Sequence, residues 1–260
     1  MGGSRYPIHQ IGATPFTSAG KDNSMDSEYL DVRVVGQASF DEELITKFVD
    51  FIEHATLPKT HYVGDGSAED NPAYNKYIIH DDIFSRFFNS EQEYRYFLNE
   101  VVHTAMLPDP GTKEHQHVIH SLVGTIHAVL SAYMKRFFLM RVSVSMTEPE
   151  GFMHYHVDMG GAYADRFLID ITRPENRSFG IEVEGRLYTL RRFAVYKLDT
   201  TRMHRAANYD QQFKKISFIV QTIADLRNFI EYRREYLKVY SEVLAHNFPL
   251  SPHRDLIDFQ

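Results

Sequence analysis

The stretch Met153-His154-Tyr155-His156-Val157-Asp158-Met159-Gly160-Gly161 decides how the rest of the chain is read. On an extended strand, side chains two apart share a face, so His156 and Asp158 reach one point in space while Val157 turns the other way. Further along, Arg202-Met203-His204-Arg205 offers another imidazole. Two neutral imidazoles and one carboxylate grip one side of a divalent ion and leave its remaining positions open, the donor arrangement of the facial triad that holds non-haem Fe(II). Zinc would satisfy the same three atoms.

The triplet alone is weak evidence. The chain has fourteen histidines in 260 residues, so His-x-Asp recurs by chance, and a second copy stands at His80-Asp81-Asp82. There the apolar run Tyr77-Ile78-Ile79 gives way to Ile83-Phe84-Ser85-Arg86-Phe87-Phe88, which makes Asp81 and Asp82 read as helix N-terminal caps. What distinguishes the first copy is the order of residues after it. A polar turn over Asn208-Tyr209-Asp210-Gln211-Gln212 leads into the strand Lys214-Lys215-Ile216-Ser217-Phe218-Ile219-Val220-Gln221. On it Lys215, Ser217 and Ile219 share one face, which sets a cation beside a hydroxyl, while Lys214 faces the other way. Such a pair suits the far end of a dicarboxylate that chelates a metal with its near end, because a buried carboxylate must be paired and hydrogen-bonded.

Read in order, His156-x-Asp158, His204 and Lys215-x-Ser217 resemble the Fe(II)/2-oxoglutarate-dependent dioxygenase superfamily. The compact spacing is similar to its aspartyl/asparaginyl β-hydroxylase-like and free amino-acid hydroxylase branches, and the likeness covers residues 137 to 223. The resemblance implies Fe(II) on His156, Asp158 and His204, with 2-oxoglutarate and O2 as the other cofactors. It places the distal carboxylate of 2-oxoglutarate on Lys215 and Ser217. It further implies hydroxylation of an unactivated C–H of a small substrate, an amino acid or related acid. Halogenating relatives carry Gly or Ala where Asp158 stands here, so hydroxylation is the expected outcome. The family's usual basic residue is Arg; Lys neutralises a carboxylate but lacks the bidentate fork that orients it. Arg166 lies where an arginine of the β-hydroxylase-like branch meets an acidic group. Arg141, Arg205 and His154 are the other candidate substrate contacts. The competing reading is a cupin-like metal-binding barrel, an isomerase, hydrolase or sensor without oxygenase activity, which has no need of Lys215 and Ser217.

Composition narrows the partners. A net charge of -7 argues against nucleic acid, since phosphate binding needs a basic face. There is no cysteine, which removes disulfides and thiolate metal sites. No apolar run approaches the length of a membrane span. A cytoplasmic protein acting on a small, amino-acid-like molecule is expected, and a homodimer is the assembly left open.

The expected architecture is α+β: a double-stranded β-helix of jelly-roll or cupin type with flanking N-terminal helices and a long C-terminal helix. Residues 1–28 read as a flexible tail, and 29–260 as a single dioxygenase domain with its barrel core at about 137–223. A strand is predicted over Tyr29-Leu30-Asp31-Val32-Arg33-Val34-Val35. A helix follows, started by a Ser39/Glu42 capping box and ending near Ala55. Residues 59–71 form a loop and candidate lid. Ser90 with Glu93 starts another helix, and a third runs from about His115 to Lys135. Its His115, His117, His120 and His127 are assigned structural or solvent-facing positions. From Phe138 to Met146 alternate residues are apolar, as on a strand. Glu184-Gly185 reads as a hairpin turn, and the final helix, about 225–246, starts at Asp225.

Overall fold

The computed structural model describes residues 32–57, 60, 73–100, 104–107, 113–158, 160–176 and 179–247. The proposed tail lies outside these residues, as does all of the proposed lid but Thr60. Strand β1 (Val32–Gln37) leads to helix α1 (Glu42–His54), strand β2 (Tyr74–Asp81), a 3₁₀ turn at Phe84–Phe87, helix α2 (Glu91–Glu100), the short β3 (Ala105–Met106) and helix α3 (Lys113–Tyr133). Seven strands follow: β4 (Phe138–Thr147), β5 (Asp165–Asp170), β6 (Phe179–Val183), β7 (Arg186–Thr189), β8 (Ala194–Leu198), β9 (His204–Asn208) and β10 (Lys215–Ile223). Helix α4 (Leu226–Asn247) ends the described chain.

From Phe138 on, the chain crosses back and forth between two sheets. The larger has seven strands in the order β1-β8-β5-β10-β4-β2-β3, the smaller three in the order β7-β6-β9. β4, β5, β8 and β10 go to the large sheet, while β6, β7 and β9 go to the small one. This alternation is jelly-roll connectivity. The sheets meet through a shared apolar cluster in which Tyr74, Leu168 and Tyr196 of the large sheet touch Phe179, Ile181 and Ala206 of the small one.

Alternation along each strand decides which face does what. On β10, Ile216, Phe218 and Val220 pack outward into a core with Phe48 and Ile52 of α1 and with Leu122 and Ile126 of α3. Lys215, Ser217 and Ile219 are therefore left on the inner face, toward the small sheet. β4 behaves alike: Val142 and Val144 join the helical core, while Ser143 and Ser145 stand inside. Its polar face thus lines the barrel and does not meet solvent. Cross-strand register places Lys76, Ser145, Ser217 and Asp170 in one transverse row on β2, β4, β10 and β5.

The α1 cap differs from the expected one. Asp41, not Ser39, caps the helix, its carboxylate accepting from the N–H groups of Glu43 and Leu44. Aspartate beside the helix start offers a charged acceptor to the same donors, which a serine two residues earlier cannot reach. Helix α2 shows the Ser90 cap, with Glu93 N–H donating to Ser90 Oγ at 3.2 Å and the Glu93 carboxylate accepting from Asn89 N–H. Asp225 caps α4 through the N–H groups of Arg227 and Asn228. Glu184 and Gly185 both have positive φ, 49° and 79°, as a two-residue hairpin turn requires.

Candidate metal centre

His156 and Asp158 stand on an extended segment that is tied to β9 by isolated bridges and is not a full strand. His156 N–H donates to the His204 carbonyl at 3.0 Å and His204 N–H returns a bond to the His156 carbonyl at 2.9 Å. This reciprocal pair brings the two rings to 4.3 Å between centroids. Asp158 N–H donates to the Thr200 carbonyl, which fixes the next inward side chain on the same face. Val157 between them is 51 % exposed. The turn that follows depends on Gly160: at φ +72° its Cβ would lie 2.2 Å from the Tyr232 ring on α4, so a larger residue would push the ligand segment off that helix.

Backbone carbonyls set the chemistry of both imidazoles. His156 Nδ1 lies 3.0 Å from the His154 carbonyl oxygen, and His204 Nδ1 lies 2.9 Å from that of Arg202. A carbonyl can only accept, so Nδ1 carries the proton in each ring and Nε2 keeps its lone pair for a metal. Donor atoms from His156, Asp158 and His204 all lie within 4.8 Å of one another. Two imidazoles and one carboxylate on one side of a cavity fit Fe(II) and leave its other positions open to 2-oxoglutarate and O2.

Charge around the ligands keeps them ready. Arg166 Nε donates to Asp158 Oδ2 at 2.9 Å, and with its amide oxygen turned to the guanidinium, Gln221 accepts from Arg166 on the far side. Burial alone would raise the Asp158 pKa, but Arg166 and the two imidazoles more than reverse this and hold the carboxyl well below its ordinary range. Burial, helped by the charge of His156 and opposed by Asp158, lowers His204 from its ordinary 6.5. Asp158 and His204 thus take their metal-binding protonation states at neutral pH.

The cavity beside the triad holds about 500 Å³ of empty space, its mouth included. Met153, Leu168, Ile181, Leu198 and Ile219 form its apolar wall. Lys215, 1 % exposed, lines it from β10 and donates to Ser217 Oγ at 2.9 Å. Asp170 lies behind Ser217, its Oδ1 3.4 Å from Ser217 Oγ and also bonded by Thr172. Burial lowers Lys215 to about 8 against the pull of Asp170. Burial likewise raises Asp170 to about 6 against Lys215.

The remaining candidates are distributed unevenly. Arg166 lines the cavity, but with its Nε on Asp158. Arg141 sits away from it, donating to Asp81 and Tyr94 and stacked 4.1 Å over Phe84. Arg205 is on the outer face of the small sheet, paired with Glu182 and flanked by the Phe152 and Tyr155 rings. His154 packs against Phe152 and serves the site through its carbonyl. Lys214 pairs with Glu148 at 3.0 Å and does not line the cavity. Along α3, His115 stacks on Phe51 and His127 on Phe137, and among the described residues no second group of three metal-ligating side chains converges. Tyr74 and Lys76 of β2 also line the cavity and escape a reading of the sequence. Their alternation was visible, but nothing local announces that β2 joins the barrel beside β4.

No protein family matches the chain, and no curated protein matches it in sequence. Among solved structures it is similar to a viral collagen prolyl hydroxylase from Paramecium bursaria Chlorella virus 1 in complex with 2-oxoglutarate, at 8 % identity and a TM-score of 0.41, over 75 % of this chain and 97 % of that one. It is similar to an oxidoreductase of the 2OG-Fe(II) oxygenase family from Burkholderia pseudomallei at 14 % identity and a TM-score of 0.44, covering 72 % and 81 %. HygX from Streptomyces hygroscopicus, with nickel and 2-oxoglutarate bound, is similar at 11 % identity and a TM-score of 0.43, covering 74 % and 82 %. Among the described residues, no helix is long and apolar enough to cross a membrane.

Proposed function

We propose that the chain is an Fe(II)/2-oxoglutarate-dependent oxygenase that hydroxylates an unactivated C–H of a small substrate, an amino acid or related acid. The observation that carries this reading is the convergence of His156, Asp158 and His204, with both Nδ1 atoms held by carbonyls, on the cavity that Lys215 also lines. Bound ferrous iron with 2-oxoglutarate supplies the oxidation: O2 is consumed, the C–H becomes C–OH, and succinate and CO2 leave.

The chain's own part is to position and to shield. The two Nδ1–carbonyl bonds hold the imidazoles in one tautomer, and Arg166 orients Asp158 so that one oxygen stays turned to the metal side. Lys215 and Ser217 receive the distal carboxylate of the co-substrate, a cation and a hydroxyl in a dry setting. The aliphatic wall excludes water from the reacting carbon.

One feature favours a second reading, a cupin-like metal protein without a co-substrate. Lys215 is already engaged by Ser217 and lies near Asp170, so part of its charge is answered within the protein. Anaerobic addition of Fe(II) and 2-oxoglutarate separates the two. A weak visible charge-transfer band that K215M abolishes supports the oxygenase, and iron binding without a band supports the alternative. Substrate-dependent succinate release then tests the reaction itself.

A further inference from the structure

We infer that Lys76 reads a carboxylate of the substrate, and that this substrate is a small aliphatic acid without a free ammonium group. The inference rests on the oxygenase reading and adds to it a residue and a substrate class.

Lys76 sits on β2, opposite Ser145 of β4, with its side chain in the cavity wall. It is half-buried, and among the described residues its ammonium has no hydrogen-bond or ion-pair partner; only its backbone N–H is engaged, by Thr60. The other cations nearby are committed. Arg166 holds Asp158 and Gln221, Lys215 holds Ser217, and Arg141 holds Asp81 and Tyr94. An unpaired ammonium withdrawn from water is costly, so a position of this kind calls for an anion from outside the chain.

Its surroundings say which anion. The charges that act on Lys76 are Asp158, which attracts, and Arg141 and Arg166, which repel. The distal carboxylate of the co-substrate is assigned to Lys215 and Ser217, which leaves Lys76 as the cation of the cavity that no other group claims. Three cations, Lys76, Arg166 and Lys215, and one carboxylate, Asp158, line the cavity, with a second carboxylate, Asp170, behind Ser217. A divalent metal and a dicarboxylate cancel one another, and one positive charge remains for a substrate carboxylate.

The same inventory argues against a substrate ammonium. Asp158 is the only carboxylate among the described residues that line the cavity, and Arg166 and the metal share it. A substrate ammonium would meet surplus positive charge and no free acceptor carboxylate. The aliphatic wall suits an alkyl chain beyond the carboxylate. Of the substrates considered, an amino acid or a related acid, the related acid fits.

The test uses the full chain loaded anaerobically with Fe(II) and 2-oxoglutarate. Three matched compounds of one skeleton, 4-methylpentanoate, its amide and leucine, are titrated while the visible band is followed, and the straight-chain four- to six-carbon sets are run alongside. The acids are expected to bind about tenfold or more tightly than the amides and the amino acids, the usual worth of a charge-assisted bond. K76M should erase that preference and K76R should keep part of it, while the affinity for 2-oxoglutarate stays unchanged in both. Thermal melts confirm that the variants fold. Equal binding of acid and amide overturns the inference, as does an inert panel, an acid preference that survives in K76M, or a K76M defect in 2-oxoglutarate binding. Failure of wild-type protein to form the band at all, read before any acid is added, is a failure of the oxygenase assignment instead.

Discussion

The two His-x-Asp triplets of this chain have the same local pattern and opposite fates. His156 and Asp158 meet His204 at the cavity, with Arg166 behind the carboxylate. His80 and Asp82 sit at the end of β2, where His80 Nε2 lies 3.1 Å from Asp82 Oδ2 and the side chains are 28 % and 59 % exposed. Between them Asp81 turns inward and takes a structural role: it accepts from Ser85 N–H at the 3₁₀ turn, from Tyr94 and from Arg141. A metal site is therefore made by what stands across from the triplet. The triplet supplies two donors, and its own segment supplies the His154 carbonyl that locks one of them; β9 supplies the third donor, locked by the Arg202 carbonyl just before that strand.

The sharpest way to break this contrast is to remove one ligand. D158A and H204A should each end measurable binding of Fe(II) or Co(II) by calorimetry, exceeding the roughly 10–100-fold loss typical of changes to groups that merely orient a ligand. D82A should leave metal affinity as it is. Iron affinity that is intact in D158A would sink the assignment of the site.

Next in size is a change that affects the fold and spares the metal. The Asp81–Arg141 pair is buried, with side chains 2 % and 11 % exposed. D81N leaves the guanidinium without its charge partner, which costs about 3–5 kcal/mol in such settings. Urea denaturation of metal-free protein should show this loss, with metal affinity per folded molecule unchanged. R166M should do the reverse: stability is affected less, and metal affinity falls about 10–100-fold because Asp158 loses the group that orients it.

A smaller effect comes from pH. The folded metal-free protein keeps His204 neutral below its ordinary 6.5, because burial, with the charge of His156, disfavours the imidazolium. In that range the unfolded chain binds more protons than the folded one, so stability rises with pH. The contribution is complete above about 6.5 and is lost as pH falls through the lower folded value. Asp158 is shifted downward too, so its own loss comes only on further acidification below 3.8. Comparing denaturation at pH 7.5 and 5.5 in wild type and H204A isolates the histidine, and an equal drop in both proteins counts against it.

How much of this was legible in the residues depends on how local each feature is. His156, Asp158, His204 and Lys215 could be picked out because their strands carry the alternation and chain order that the chemistry needs. Asp225 and Ser90 announced their helices for the same reason. Ser39 and Asp41 are both plausible caps, and only the backbone shows that the first turn closes on Asp41. The role of Arg166 was hidden more deeply. It lies eight residues past Asp158, too far for a local pattern to link them, while its sequence neighbour Asp165 pairs with Lys197 of β8. Lys76 was out of reach, since its entry to the cavity depends on β2 pairing with β4 in one register out of several that the sequence allows.

The smallest predicted effect belongs to the second triplet. A contact from His80 to a carboxylate as exposed as that of Asp82 is worth about 0–1 kcal/mol. H80A and D82A should therefore shift the denaturation free energy by no more than that, with added salt narrowing the gap further. A loss of several kcal/mol in either variant would mean that this triplet has a buried partner, and the contrast with His156 and Asp158 would then lie in which partner each triplet finds and not in whether it finds one.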